Sequence, residues 1–112
     1  MKNDDMLCLM FKMQKRLQKK IYGSHFPFKQ EYVEKMFLGV VTELCESLEN
    51  TPWKQQWKSS ARLDEERFRK EIIDLWHFVI NYTMASGMTA EDVYHMFVEK
   101  NKENHERQKN EY

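Results

Sequence analysis

Four carboxylates in two matched pairs are the residues of this chain best suited to chemistry. Glu43 and Glu46 stand three residues apart in V-T-E-L-C-E-S-L, and Glu71 and Asp74 stand three apart in K-E-I-I-D-L-W-H. On a helix, residues i and i+3 project from neighbouring points of one face, so each pair presents two oxygen ligands side by side. Both pairs lie among apolar residues, where an unpaired charge is costly. A divalent cation such as Mg2+ prefers carboxylate oxygens and would offset that cost, so the pattern predicts a metal site of the kind that hydrolases use.

The composition is typical of one small domain. With 112 residues the chain can bury a single core, so we expect one domain over residues 1–112. Its 18 basic and 18 acidic residues cancel, which gives no support to nucleic-acid binding. No stretch approaches the roughly 20 apolar residues that span a membrane, and the first residues are too polar for a signal peptide, so we expect a cytoplasmic protein without a membrane partner. Cys8 and Cys45 lie in helical apolar patterns and are expected to be buried thiols.

Apolar residues at helical spacing predict four helices. The first three are predicted at about residues 3–22, 29–49 and 63–86, and the fourth begins after Thr89, which opens a capping-box pattern. A polar segment broken by Pro52 connects the second and third helices. The expected apolar stripe of the first helix consists of Met6, Met10, Met13, Leu17 and Ile21. The sequence therefore predicts an all-α fold of the four-helix-bundle type.

Three features have both a structural and a functional interpretation. Gly39, one turn before Glu43, leaves room for a ligand or for a closely packed helix. Trp53 and Trp57 in the polar connection either cover the core or line a pocket for a flat ligand. The fourth helix begins apolar at Phe97 and its neighbours, and the same face then becomes polar, which indicates either an anionic ligand or a solvated helix end with cations at the negative end of the dipole. The polar residues of that face are Lys100, Asn101, Asn104, Arg107 and Gln108.

The two carboxylate motifs, taken in order, resemble the signature of the all-α nucleoside triphosphate pyrophosphohydrolases. In that superfamily, which includes MazG-like enzymes, dCTP pyrophosphatases and dimeric dUTPases, E-x-x-E on one helix is followed by E-x-x-D on the next. Here the motifs stand at Glu43–Glu46 and Glu71–Asp74. The resemblance extends over nearly the whole chain and implies a MazG-like, oligomeric fold.

The flanking residues are similar to the dimeric dUTPase branch. W-K at Trp57, H-F at His77 and the pattern K-N-x-x-N-x-x-R-Q at residues 100–108 agree with that branch. The chain departs from it at Gln18, where the branch has asparagine, and at Glu111, where it has glycine.

The resemblance implies a role for each of these residues. Glu43, Glu46, Glu71 and Asp74 would hold Mg2+, with Mn2+ as a substitute, between the second and third helices. One of Glu43 and Glu46 would orient or deprotonate a water that attacks the α-phosphorus of a nucleoside triphosphate and releases the monophosphate and pyrophosphate. The implied phosphate-binding residues are Lys58, Lys100, Asn101, Asn104 and Arg107. The implied base- and sugar-binding residues are Gln14, Trp57 and Asn81.

Several alternatives remain open from the sequence. The expected substrate is dUTP, and the alternative is a MazG-like or dCTP-type pyrophosphatase. The resemblance also implies a homodimer or homotetramer with pockets completed across subunits. A ferritin-like di-iron bundle would need E-x-x-H motifs on two helices, whereas D-x-x-H stands at Asp74–His77 and the second helix has no histidine. A non-catalytic helical interaction module is the remaining class.

Overall fold

Helices account for most of the residues that the structure describes. The computed structural model describes residues 5–26, 29–54, 57–58 and 62–110. These residues form four helices and no strand, which confirms the all-α prediction; the helices are α1 (Met6–Tyr22), α2 (Gln30–Glu49), α3 (Glu65–Ala85) and α4 (Ala90–Lys109). The boundaries of α2 and α3 agree with the predicted ones within two residues. The predicted start of α1, at residue 3, lies outside the described residues.

Side chains cap three of the helices at the ends where backbone N–H groups lack partners. Asp5 and Asp64 each accept a hydrogen bond from the backbone N–H three residues further on, at the starts of α1 and α3. Thr89 Oγ1 accepts from the Asp92 backbone N–H at 3.1 Å, while Asp92 Oδ2 accepts from the Thr89 backbone N–H at 2.9 Å. The predicted capping box is therefore confirmed, and it fixes where α4 begins.

Among the described helices, α2 and α3 form the most extensive pairing. The helices run antiparallel, because Phe37 lies against Tyr82 with ring centroids 6.0 Å apart, while Gly39, further along α2, lies against Phe78, earlier on α3. A Cβ atom built at Gly39 would overlap the Phe78 ring. Gly39 is therefore a packing glycine rather than space for a ligand. Continuing in the same sense, Glu43 on α2 reaches the level of Glu71 on α3.

α1 packs on α3 through a different face from the one predicted. Its buried residues are Phe11, Gln14 and Gln18, whereas the predicted stripe is exposed, as shown by Met6 at 82% of its surface. Two of the three buried residues carry amides that form hydrogen bonds inside the protein, and a count of apolar residues does not identify such a face. The expectation that Cys45 is buried is also wrong, because it is exposed on α2.

α4 contacts only α1 among the described helices. Its Val93 packs at the edge of the core, but Phe97 keeps 67% of its surface exposed. The radius of gyration is 17.7 Å, compared with about 13 Å for a compact domain of about 100 residues. No helix in the described part of the chain is both long and apolar enough to cross a membrane.

Candidate metal centre

Three of the four predicted metal ligands meet between α2 and α3. One carboxylate oxygen from each of Glu43, Glu46 and Glu71 lies within 4.8 Å of the others. Glu43 and Glu46 are neighbours on α2 because they are three residues apart, and the antiparallel pairing brings Glu71 of α3 opposite them. This cluster, Glu43–Glu46–Glu71, is the carboxylate centre.

The carboxylate centre holds more negative charge than its surroundings neutralise. Glu43 Oε2 and Glu71 Oε2 are both buried and have no hydrogen-bond partner. Burial, first, and then hydrogen bonding to Glu71 and repulsion from the charges of Glu46 and Asp74 raise the pKa of Glu43 to about 7. Ionised carboxylates are acceptors only, so the oxygens of this centre can bond to one another only when one of them carries a proton. A proton or a cation is therefore needed to compensate the charge.

A hard divalent cation fits this donor set. Mg2+ binds through one or two carboxylates and keeps several waters, and the two unpartnered buried oxygens are ligands of the required type. Asp74, the fourth predicted ligand, is exposed and lies outside the group of three. Its charge still contributes to the raised pKa of Glu43, so it lies close enough to act on the centre electrostatically.

A hydrogen-bonded relay of two buried amides and an exposed histidine links α1 to α3. Gln14 Nε2 donates to Asn81 Oδ1 at 2.8 Å, and Gln14 Oε1 lies 2.6 Å from His77 Nδ1. Gln14 is 5% exposed and Asn81 4% exposed. The structure thus brings together two of the three predicted base- and sugar-binding residues, and it adds His77. His77 follows Asp74 by three residues, so the two side chains are neighbours on one face of α3.

The relay lies at the edge of a mostly apolar cavity of about 490 Å³ between α1 and α3. This volume is in the range of roughly 300–1,000 Å³ that is usual for small-molecule sites. Its lining residues are Leu7, Met10, Met13, Gln14, Ile73, Trp76, His77 and Ile80. An apolar wall with a few convergent polar groups suits a flat heteroaromatic ring.

Gln18, which departs from the dUTPase-branch pattern, accepts a hydrogen bond from another residue of the protein. The Tyr32 hydroxyl donates to Gln18 Oε1 at 2.8 Å, and both side chains are buried. Burial raises the pKa of the Tyr32 hydroxyl, so the hydroxyl keeps the proton that it donates. In this chain Gln18 therefore joins α1 to α2.

The remaining predicted site residues are not brought to the carboxylate centre within one chain. Trp57 is 74% exposed and Lys58 is exposed, so neither covers the core. The predicted phosphate-binding residues of α4 are all exposed on a helix that contacts only α1; they are Lys100, Asn101, Asn104 and Arg107. Lys100 and Arg107 form ion pairs with Glu103, at 3.8 and 3.5 Å.

Trp76 and Ile73 line the cavity but were not predicted as site residues from the sequence. They lie off the main apolar stripe of α3, and the available signal was that α3 has apolar residues around more than one side. Trp76, rather than Trp57, is the tryptophan that lines the cavity with Gln14.

Comparison with known proteins gives a consistent identification. The sequence matches the dUTPase family over residues 6–86, which include α1, α2, α3 and the whole carboxylate centre. It is 41% identical over 49 residues to a dCTP pyrophosphatase of Enterobacteria phage T4, and 34% identical over 65 residues to a dCTP pyrophosphatase of Enterobacteria phage LZ5. These matches cover 44% and 51% of this chain but only 29% and 38% of the relatives. No solved structure matches the chain.

Proposed function

This chain belongs to the dUTPase family of the all-α nucleoside triphosphate pyrophosphohydrolases, and we propose that it hydrolyses a pyrimidine deoxynucleoside triphosphate to the monophosphate and pyrophosphate. The observation that carries the proposal is the carboxylate centre with its two buried, unpartnered oxygens. A cluster of this charge is costly unless it binds a cation. Phosphoryl transfer is a reaction in which such a cation is useful.

Mg2+, or Mn2+ in its place, is the proposed cofactor, held by Glu43, Glu46, Glu71 and Asp74. Such an ion, when bound, neutralises charge that develops on the phosphates and lowers the pKa of a water. One of Glu43 and Glu46 accepts the proton of the attacking water. The water oxygen bonds to the α-phosphorus, the bond from that phosphorus to the bridging oxygen breaks, and pyrophosphate leaves with the electron pair.

The proposed recognition residues have distinct tasks. The α4 residues Lys100, Asn101, Asn104 and Arg107, together with Lys58, neutralise and orient the leaving phosphates. Gln14 and Asn81 read the base and sugar, and Trp57 stacks on the substrate from the connection. Because α4 does not reach the carboxylate centre within its own chain, we assign its phosphate-binding role to a homodimer or homotetramer in which a partner copy supplies that helix.

Two bases are candidates for the substrate. The family name favours dUTP, and the two phage relatives named dCTP pyrophosphatase favour dCTP. The first test is pyrophosphate release from a panel of deoxynucleoside and ribonucleoside triphosphates with Mg2+. The matched variants are Glu46→Gln and Asp74→Asn, with Glu49→Gln as the control because Glu49 is exposed on the same helix.

We expect release from dUTP, dCTP or both, its loss in Glu46→Gln and Asp74→Asn, and its retention in Glu49→Gln. Melting temperature with and without Mg2+ separates this enzyme from a non-catalytic helical module, since only a metal-binding protein is stabilised by the ion. No release from any nucleotide, together with no Mg2+ effect on melting, would refute the proposal.

A further inference from the structure

The positive charge of α1 is concentrated on one exposed side of the helix. The chain as a whole is neutral, but no acidic residue stands between Asp5 and Glu31, and α1 lies entirely in that interval. Its five basic residues follow helical spacing, which places them on one side of the helix. They are Lys12, Lys15, Arg16, Lys19 and Lys20, and all five are exposed. This set is the basic face of α1.

The basic face is one continuous surface with few intramolecular partners. Its five side chains together line a single shallow depression. The last four of them form no ion pair in the described part of the chain. In α2, α3 and α4, by contrast, cations pair with glutamates of the same helix. Because neighbouring like charges repel one another, an anionic partner would stabilise this face.

An apolar cavity of about 430 Å³ between α1 and the start of α4 adjoins the basic face. Lys12 and Lys15 line both the cavity and the depression, so the two surfaces are continuous. Phe11 and Phe26 form part of the cavity wall, and Glu91 is the only carboxylate among its described lining residues. This cavity shares no lining residue with the one between α1 and α3. It offers space for a flat apolar group beside a row of cations.

We propose that the basic face and the adjoining cavity bind single-stranded nucleic acid. A nucleic acid presents a row of phosphates, and cations on successive turns of α1, about 5.4 Å apart, match such a row better than they match one small anion. A single strand also has unstacked bases, which can enter an apolar cavity, whereas the bases of a duplex stay stacked in its interior. The neutral net charge gave no support to this partner because it averages over an uneven distribution of charge.

An anionic membrane is the competing partner for a cationic helix. The apolar residues of α1 that a membrane would contact include Met10 and Met13, which line the cavity between α1 and α3. A membrane on that side of α1 would cover the cavity that holds Gln14 and His77. A strand on the basic face leaves that cavity open, so the structure favours nucleic acid.

Fluorescence anisotropy with a labelled oligothymidylate of about 20 nucleotides tests the basic face directly. For contacts with four or five phosphates, the logarithm of the association constant should fall with the logarithm of salt concentration with a slope of about −3. The double variant Lys15→Gln, Lys19→Gln should make that slope shallower by about 1 to 1.5 and weaken binding by at least about 10-fold at about 50 mM salt. Its melting temperature should match that of the wild type, because both side chains are exposed and unpaired.

The matched control is the double variant Arg69→Gln, Lys70→Gln. It removes the same charge from exposed cations of α3 that already pair with Glu65 and Glu66, so affinity and salt slope should stay close to those of the wild type. Equal weakening in the two double variants would show that only net charge matters and would overturn the proposal. The binding assay needs neither Mg2+ nor hydrolysis, so its outcome is independent of the proposed enzymatic function.

Three further probes separate the possible partners. The oligothymidylate should bind at least about 5-fold more tightly than an abasic strand of equal length, which has the phosphates but no base for the cavity. It should also bind more tightly than a duplex of equal length. Vesicles of phosphatidylglycerol and phosphatidylcholine should not bind the protein. No binding of the oligothymidylate, equal affinity for the abasic strand or the duplex, or binding to the vesicles alone would overturn the proposal.

Discussion

Glu43 is the carboxylate of the site whose pKa is most affected by its surroundings. It lies in the carboxylate centre, one of its oxygens is buried without a partner, and burial together with the neighbouring carboxylates raises its pKa to about 7 from an ordinary value of 4.5. The folded protein therefore holds a proton on Glu43 more tightly than the unfolded chain does. The contribution of this group to stability is complete below pH 4.5 and is lost as the pH rises through 7.

Glu43→Gln is expected to stabilise the metal-free protein at high pH. Glutamine cannot ionise, so the variant avoids the repulsion that wild-type Glu43 experiences at pH 8. In the presence of a chelator, its melting temperature should exceed that of the wild type at pH 8, and the difference should shrink at pH 5. Glu49→Gln, the exposed control on α2, should show no such dependence. A Glu43→Gln variant that melts below the wild type at pH 8 would contradict the electrostatic account.

Gly39 sets how closely α2 and α3 approach. Replacing it with alanine should gain about 1 kcal/mol of helix propensity, but the new Cβ would overlap the Phe78 ring. Overpacking typically costs about 1–3 kcal/mol, so we expect a net loss of stability in denaturant titrations. Adding Phe78→Leu should recover part of the loss. A Gly39→Ala variant as stable as the wild type would show that the ring can move aside freely.

The sequence was informative about residues whose spacing determines their placement. The three-residue spacing of the glutamates on α2 predicted their proximity, since it follows from helix geometry alone. The contact of Gly39 with Phe78 and the relay from Gln14 to His77 and Asn81 depend on how two helices meet, which their separate patterns do not specify. For the same reason, the sequence did not identify Trp76 of α3 as a residue that lines the cavity.

Among the helices, α4 has two unlike halves. Its first half begins at a capping box and packs on the core through Val93, and its second half is polar and exposed. If this half binds the leaving phosphates, Arg107→Ala should lower kcat/KM by about 10- to 100-fold, the value of a hydrogen bond to a charged group. Its melting temperature should change little, because the ion pair of Arg107 with Glu103 is exposed. Lys102→Ala, on another side of the same helix, is the control. Equal activity of both variants and the wild type would remove α4 from the site.

The existence and ends of the helices were predictable because caps and periodicity are local signals. Which side of α1 is buried was not, because α1 has more apolar residues than its contacts within one chain can cover. Met6 and Met13 are exposed while Gln14 is buried. The buried glutamines of α1 form hydrogen bonds with α3 and α2, and such tertiary contacts are not visible in the pattern of α1 alone.

At the scale of the whole molecule, the exposed apolar surface of the described helices favours the proposed oligomer. The chain's radius of gyration of 17.7 Å is large for its length, and several large apolar side chains on all four helices remain exposed. Mixing two impaired variants tests whether a partner's α4 completes each site. In a dimer of one Glu46→Gln and one Arg107→Ala subunit, one of the two sites has both wild-type residues only if Arg107 acts across the interface. Co-refolded subunits should then recover about a quarter of wild-type activity, whereas no recovery would place Arg107 in the site of its own chain.

The most direct test of the proposed reaction is to find which product receives the oxygen of the attacking water. The wild-type protein would be incubated with Mg2+ and dUTP or dCTP in water labelled with oxygen-18, and the products would be analysed by mass spectrometry. Attack at the α-phosphorus predicts one labelled oxygen in the nucleoside monophosphate and none in the pyrophosphate. Label in the pyrophosphate or in inorganic phosphate, or no hydrolysis at all, would contradict a pyrophosphohydrolase built on the carboxylate centre.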